Sequence, residues 1–153
     1  MQLSLDVDSD VPIYQQIRDR IVEALAEGEL AEGSALPSTR QLGSDLAVNF
    51  HTVNKAYDLL RHEGLIRVNR KSGAVVRRDP ESGPPDPAFP DEWRARLRTL
   101  LAEAVAQGLD PGEVGQRVGE VLEGFGHEGF SHGESGREEF SGAGNAVVKG
   151  GPT

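Results

Sequence analysis

Apolar residues recur every four positions at Ile13, Ile17, Ile21 and Leu25, and Tyr14 and Val22 widen the stripe, so the pattern predicts an amphipathic helix over residues 12–27. Pro12 at its first position and Gly28 past its end frame it. A shorter helix is expected from Thr39 to Leu46, where Leu42 and Leu46 share one face. Ser38 is its expected N-cap, with Gln41 three residues on as the capping-box partner. Ala47, Val48 and Asn49 interrupt the period. It resumes at Val53, Ala56, Tyr57 and Leu60 and stops at Gly64, with Asn49 or His51 as the cap. Leu65, Ile66 and Val68, then Ala74 to Val76, favour strand around a turn at Arg70 to Gly73, which reads as a two-stranded ribbon. The expected fold is mainly α with a small β-hairpin wing.

Beyond residue 79 the character changes. Residues 80–90, PESGPPDPAFP, hold five prolines and read as an extended, stiff linker. Helical spacing returns in Trp93, Leu97, Leu100, Leu101, Ala104 and Val105, and Gly108 closes that helix. Asp110 as cap, Pro111 at the first position and Glu113 start another, whose stripe is Val114, Val118, Val121, Leu122 and Phe125. Roughly 35 residues cannot enclose a substantial core alone, so this hairpin, residues 91–125, is expected to bury its stripes by dimerisation, with Trp93 read as core. Residues 126–153 are rich in glycine and serine without periodicity and read as a disordered tail.

The first two short helices are joined by only three or four residues, the length of a helix-turn-helix connection, which leaves the N-terminal turn of the second helix free. Such a turn enters the DNA major groove in groove-reading proteins. Here it offers Asn49, Phe50, His51, Thr52, Asn54 and Lys55. Asn and Lys can read base edges, Thr can reach a base or a phosphate, and the amides at a helix start favour a phosphate. Taken singly, Asn49 could be only a cap and Lys55 only a solvated charge. The ribbon tip, Arg70, Lys71, Ser72 and Gly73, suits a wing that approaches the phosphate backbone or enters the minor groove. Polarity of exposed tips accounts for Ser72 and Gly73 but less readily for two adjacent cations.

Net charge argues against a nucleic-acid partner until its distribution is read. The 153 residues carry a formal charge of −9, yet residues 55–78 hold seven bases against two acids. The positive excess sits on the expected recognition helix and wing, where phosphate neutralisation needs it. No cysteine is present, which excludes disulfides and thiolate metal sites. His127 and His132 lie in the tail with no third ligand spaced for a metal, so neither metal nor other cofactor is expected. No run approaches a membrane span and the acidic start does not resemble a signal peptide, so a cytoplasmic protein without membrane contact is expected. Serine, histidine and acid combinations fall only in the helix-turn-helix or the tail, and no phosphate-cradling glycine loop occurs, which argues against an enzyme.

Three motifs, VPIYQQI at Val11 to Ile17, LPSTRQL at Leu36 to Leu42 and VNFHTVNKAYDLLRHEGLI at Val48 to Ile66, resemble the winged helix-turn-helix of bacterial GntR-family transcriptional regulators. The short C-terminal region adds a resemblance to the YtrA subfamily. The resemblance implies a DNA-binding domain over residues 11–79, with contacts from the arginine of the PSxR motif, the start of the recognition helix and the wing tip. Carried over by motif, these are Arg40, then Asn49, His51, Thr52 and Asn54, then Arg70, Lys71 and Gly73; Ser38 and Lys55 complete the candidate set. Phe50 stands where relatives often have arginine or another polar residue, and Lys71, Ala74 and Val75 replace a commoner glycine, threonine and phenylalanine. Two roles are open to the Phe50 ring, contact with a thymine methyl and packing back on the domain.

The resemblance further implies a homodimer, with the segment before the first helix near its interface, and a repressor that binds a double-stranded inverted-repeat operator and controls its own operon and a transporter. An unidentified small-molecule effector, if any, is expected at the dimer interface beside Trp93 to Val105. The competing reading is a winged-helix protein-interaction module without sequence-specific DNA binding.

Overall fold

Three helices and a small sheet enclose the apolar stripes of residues 13–76. The computed structural model describes residues 3–69 and 73–125. In chain order they form α1 (Ile13–Ala26), β1 (Ala35–Leu36), α2 (Thr39–Asp45), α3 (Phe50–His62), β2 (Ile66–Asn69), β3 (Gly73–Val76), α4 (Phe89–Ala106) and α5 (Pro111–Gly124). The core joins Ile17, Ile21 and Leu25 of α1, Leu42 of α2, Val53, Tyr57 and Leu60 of α3, and Ile66, Ala74 and Val76 of the sheet. Ile17, Ile21, Val53 and Leu60 have no exposed surface, and each such side chain contributes about 1.5–3 kcal/mol by leaving water.

The ribbon gains a third strand. All pairs are antiparallel in the order β1-β3-β2, with Leu36 opposite Ala74 and Arg67 opposite Val75. Two residues are too few to show a period of two, which is why β1 escapes a pattern reading. Its effect is to place Pro37 and Ser38 directly at the start of α2. On the far side, the buried Gln16 amide accepts from Asp6 N at 2.9 Å and donates to the Asp6 and Val11 carbonyls, both at 2.8 Å. Leu3 and Leu5 pack with that segment against the core.

Several boundaries differ from those expected. α1 starts after Pro12, which is the N-cap rather than the first helical residue. α2 stops at Asp45, so Leu46 is its C-cap. The capping box is half made: Ser38 Oγ accepts from Gln41 N at 3.1 Å, but the Gln41 side chain donates to Asp45 at 2.7 Å instead of turning back. α4 begins at Phe89, within the stretch expected to be linker, because Pro90 is favourable in a first turn and Asp91 and Glu92 complement the helix dipole there. Asp110 Oδ2 accepts from Gly112 N at 2.8 Å and caps α5 as expected. Trp93 is not core: 48% of it is exposed, and in α4 and α5 together only Val114 is buried. No helix among the described residues is long and apolar enough to cross a membrane.

Candidate nucleic-acid interface

The angle between α2 and α3 is fixed by backbone rather than by side-chain bulk. After α2 the chain turns through Ala47, at φ 53° an uncommon left-handed alanine, and Val48 N donates to Gly43 O at 2.9 Å. A Cβ on Gly43 would stand 2.9 Å from Val48 O and 3.2 Å from Phe50 Cα, so only glycine admits the α3 start so close. From the other side, the Tyr57 hydroxyl donates to Pro37 O at 2.8 Å, tying mid-α3 to the residue before the α2 cap. Burial pushes the Tyr57 hydroxyl well above the ordinary tyrosine pKa and keeps it a donor.

The start of α3 is presented outward by this frame. Asn49 Oδ1 accepts from His51 N at 2.9 Å, so its oxygen is committed to the cap while its NH2 group stays available. Asn49 and His51 are exposed, and Thr52 and Asn54 are half-buried. Arg40, exposed on α2, holds its guanidinium carbon 5.4 Å from the centre of the Phe50 ring, and that ring lies 4.0 Å from the His51 ring. Phe50 therefore joins Arg40 and His51 into one surface. Ser38 is exposed, but its hydroxyl serves the α2 cap.

Lys55 is engaged by α1. Its Nζ sits 3.9 Å from the centre of the Tyr14 ring, a cation–π contact that joins α3 to α1. At the opposite end of α3, Arg18 of α1 clamps Glu63, with Nη2 to Oε1 at 2.9 Å and Nε to both oxygens at 3.1 Å. Partial burial works against the Arg18 charge, but the bonds to Glu63 and Asp19 outweigh it and raise the pKa further.

Of the wing residues, Gly73 opens β3 opposite Asn69 with φ 75°, a conformation that favours glycine. Arg70, Lys71 and Ser72 lie outside the described residues, as does the tail with His127 and His132. Among the described residues no group of three His, Cys, Asp or Glu could hold a metal ion. Sequence reasoning missed Gly43, the Tyr57 to Pro37 bond and the Arg40–Phe50–His51 stack. The first had a signal, a glycine inside a seven-residue helix where it is otherwise unfavourable.

Comparison with known proteins agrees with the winged-helix fold. The family model described as bacterial regulatory proteins, gntR family, matches residues 13–76. The HTH-type transcriptional repressor YtrA of Bacillus subtilis (strain 168) is 36% identical over 74 residues, 48% of this chain and 57% of the repressor. This chain thus spans little more than half of that curated relative. Among solved structures the match reaches further: YtrA from Sulfolobus acidocaldarius, a GntR-family transcription factor, is 41% identical with a TM-score of 0.54, covering 68% of this chain and 97% of that one. A transcriptional antiterminator from Listeria monocytogenes superposes with a TM-score of 0.75 at 26% identity, covering 83% and 95% of the two chains.

Proposed function

The chain belongs to the GntR family of bacterial regulatory proteins, and from that premise we propose that it is a sequence-specific transcriptional regulator of repressor type that grips operator DNA with the start of α3. The observation that carries this reading is the outward-facing α3 start: a capped helix N-terminus with Asn49, His51 and Arg40 exposed beside it, held by a backbone contact at Gly43 that leaves its angle little freedom. Thr52 and Asn54 stand behind that edge. On the same reading the wing, with Arg70, Lys71 and Gly73 at its tip, follows the flanking backbone, and the basic excess of residues 55–78 supplies the phosphate affinity. Lys55, resting on Tyr14, serves as a framework charge that reinforces the field rather than as a base reader.

The chain acts as a homodimer on an inverted repeat. Supporting this are the uncovered apolar residues of the C-terminal hairpin, Leu100 at 61% exposure and Leu122 at 62%. An effector, on this reading, binds beside α4, where Phe89, Trp93, Leu97 and Leu100 face Arg18 and Leu65 across a cleft of about 430 Å³. Occupancy there would bear on the Arg18 to Glu63 clamp and so on α3. Its own operon, including a transporter, is the proposed target. A gel-shift titration against DNA upstream of its own gene tests the function: a sequence-selective shift that weakens steeply with salt is expected, and its absence would sink the regulator reading in favour of a docking module.

A further inference from the structure

Within residues 49–55 two large apolar side chains occur, and they differ in placement: Val53 is fully buried, whereas Phe50 stays partly exposed. The Phe50 ring is held from several directions. Its Cα is within 3.2 Å of the space a Gly43 Cβ would take, so the backbone beneath it cannot drift toward α2. Its ring meets His51 at 4.0 Å between centres, inclined by 33°, and lies 5.4 Å from the Arg40 guanidinium carbon. Among the described residues the Arg40 guanidinium makes no hydrogen bond or ion pair, which leaves the Phe50 ring as its contact. A concavity of about 340 Å³ lined by Arg40, Gly43, Ser44, Ala47, Val48 and Phe50 opens at the same edge, with the ring as one wall.

The major groove constrains what such a ring can recognise. Base edges there are donors and acceptors apart from one apolar group, the C5-methyl of thymine. A phenyl ring satisfies none of the polar edges and costs them water when it covers them. Resting on the reading that the α3 start enters the major groove, we propose that Phe50 is a specificity-determining residue. It reads a thymine methyl, and its ring fixes Arg40 beside that base. The polar side chains around it then read the neighbouring pairs, so the operator of this protein carries a thymine at the position Phe50 faces.

The test starts from duplexes selected by the whole chain out of a random DNA library. Each thymine of the selected site is replaced in turn by deoxyuridine, which removes only the methyl group. At one or more positions the wild type should bind about fourfold more weakly, the value of one buried methyl-sized group. Phe50→Ala should bind thymine and deoxyuridine duplexes alike at those positions, while Phe50→Leu keeps the discrimination. Arg40→Ala should weaken the wild type more than it weakens Phe50→Leu, because the leucine offers no ring face to couple to. Deoxyuridine tolerated throughout a site that is otherwise bound selectively would overturn the proposal, as would discrimination that persists in Phe50→Ala. Selection that yields no preferred sequence removes the operator-reading function itself and the role of Phe50 with it.

Discussion

Residues 13–76 and residues 89–124 are both built from amphipathic helices, yet the first segment buries its stripes and the second does not. In the first, α3 packs against α1, α2 and β2, and Ile66, Ala74 and Val76 of the sheet join the same core, so Ile17, Ile21, Val53 and Leu60 are fully shielded. In the second, α4 packs mainly on α5 and contributes no buried residue. The difference is one of closure. An apolar stripe on a helix is wider than a single antiparallel neighbour can cover, so a two-helix hairpin keeps part of it in water until something else arrives. The first unit is thus closed within one chain, and in the proposed dimer a partner would cover what the hairpin leaves exposed.

The largest effects should separate the two regions directly. Leu60→Ala removes a fully buried side chain and should cost about 2–5 kcal/mol in urea unfolding, whereas Leu100→Ala, 61% exposed in the single chain, should cost within about 0.5 kcal/mol at high dilution. In the proposed dimer, Leu100→Ala should instead move the association constant, read by sedimentation. Equal costs at dilution would break the contrast, since Leu100 would then be as enclosed as Leu60.

The same contrast governs what the sequence could disclose. Periodicity located α1, α3 and the two C-terminal helices because each presents a wide stripe over many turns, and turn chemistry placed Gly64 and Asp110 at their boundaries. It missed β1, whose two residues carry no period, and it let the proline run hide the first turn of α4. Trp93 was readable as apolar but not as uncovered, because a stripe says that a face is buried by something and not by what. At the α3 start, residue types pointed to Asn49 and His51, but Lys55 resting on Tyr14 depends on the crossing of α1 and α3. The Arg40 to Phe50 contact likewise exists only because Gly43 lets two helices approach, a three-dimensional fact with a one-letter trace.

Glycines sharpen the comparison at intermediate size. A methyl added at Gly43 meets Val48 O at 2.9 Å, and backbone cannot move aside as a flexible side chain would; at Gly119 in α5 nothing lies within 4 Å. Gly43→Ala should therefore destabilise by about 1–3 kcal/mol and, by tilting α3, weaken operator binding. Gly119→Ala should stabilise the monomer by roughly 0.5–1 kcal/mol through helix propensity alone. Thermal melts of the two variants should shift in opposite directions. A destabilised Gly119→Ala that appears only at high concentration would place a partner helix against that face.

The smallest effect should come from Tyr57, and it isolates the self-contained region because it is independent of protein concentration. Burial raises the hydroxyl pKa in the folded chain, while the unfolded chain releases that proton near the ordinary value of about 10. Below that pH both states keep the proton and Tyr57 makes stability insensitive to pH. Above it the unfolded state binds fewer protons than the folded one, so stability falls as pH rises. Tyr57→Phe loses the hydrogen bond to Pro37 O, about 1 kcal/mol at neutral pH, and also loses the alkaline penalty. The gap between wild type and variant should therefore narrow as pH passes about 10, in urea titrations at two pH values and two protein concentrations. A gap that stays constant with pH would mean that water reaches the Tyr57 hydroxyl, and that the brace between α3 and the start of α2 is looser than the rest of the core.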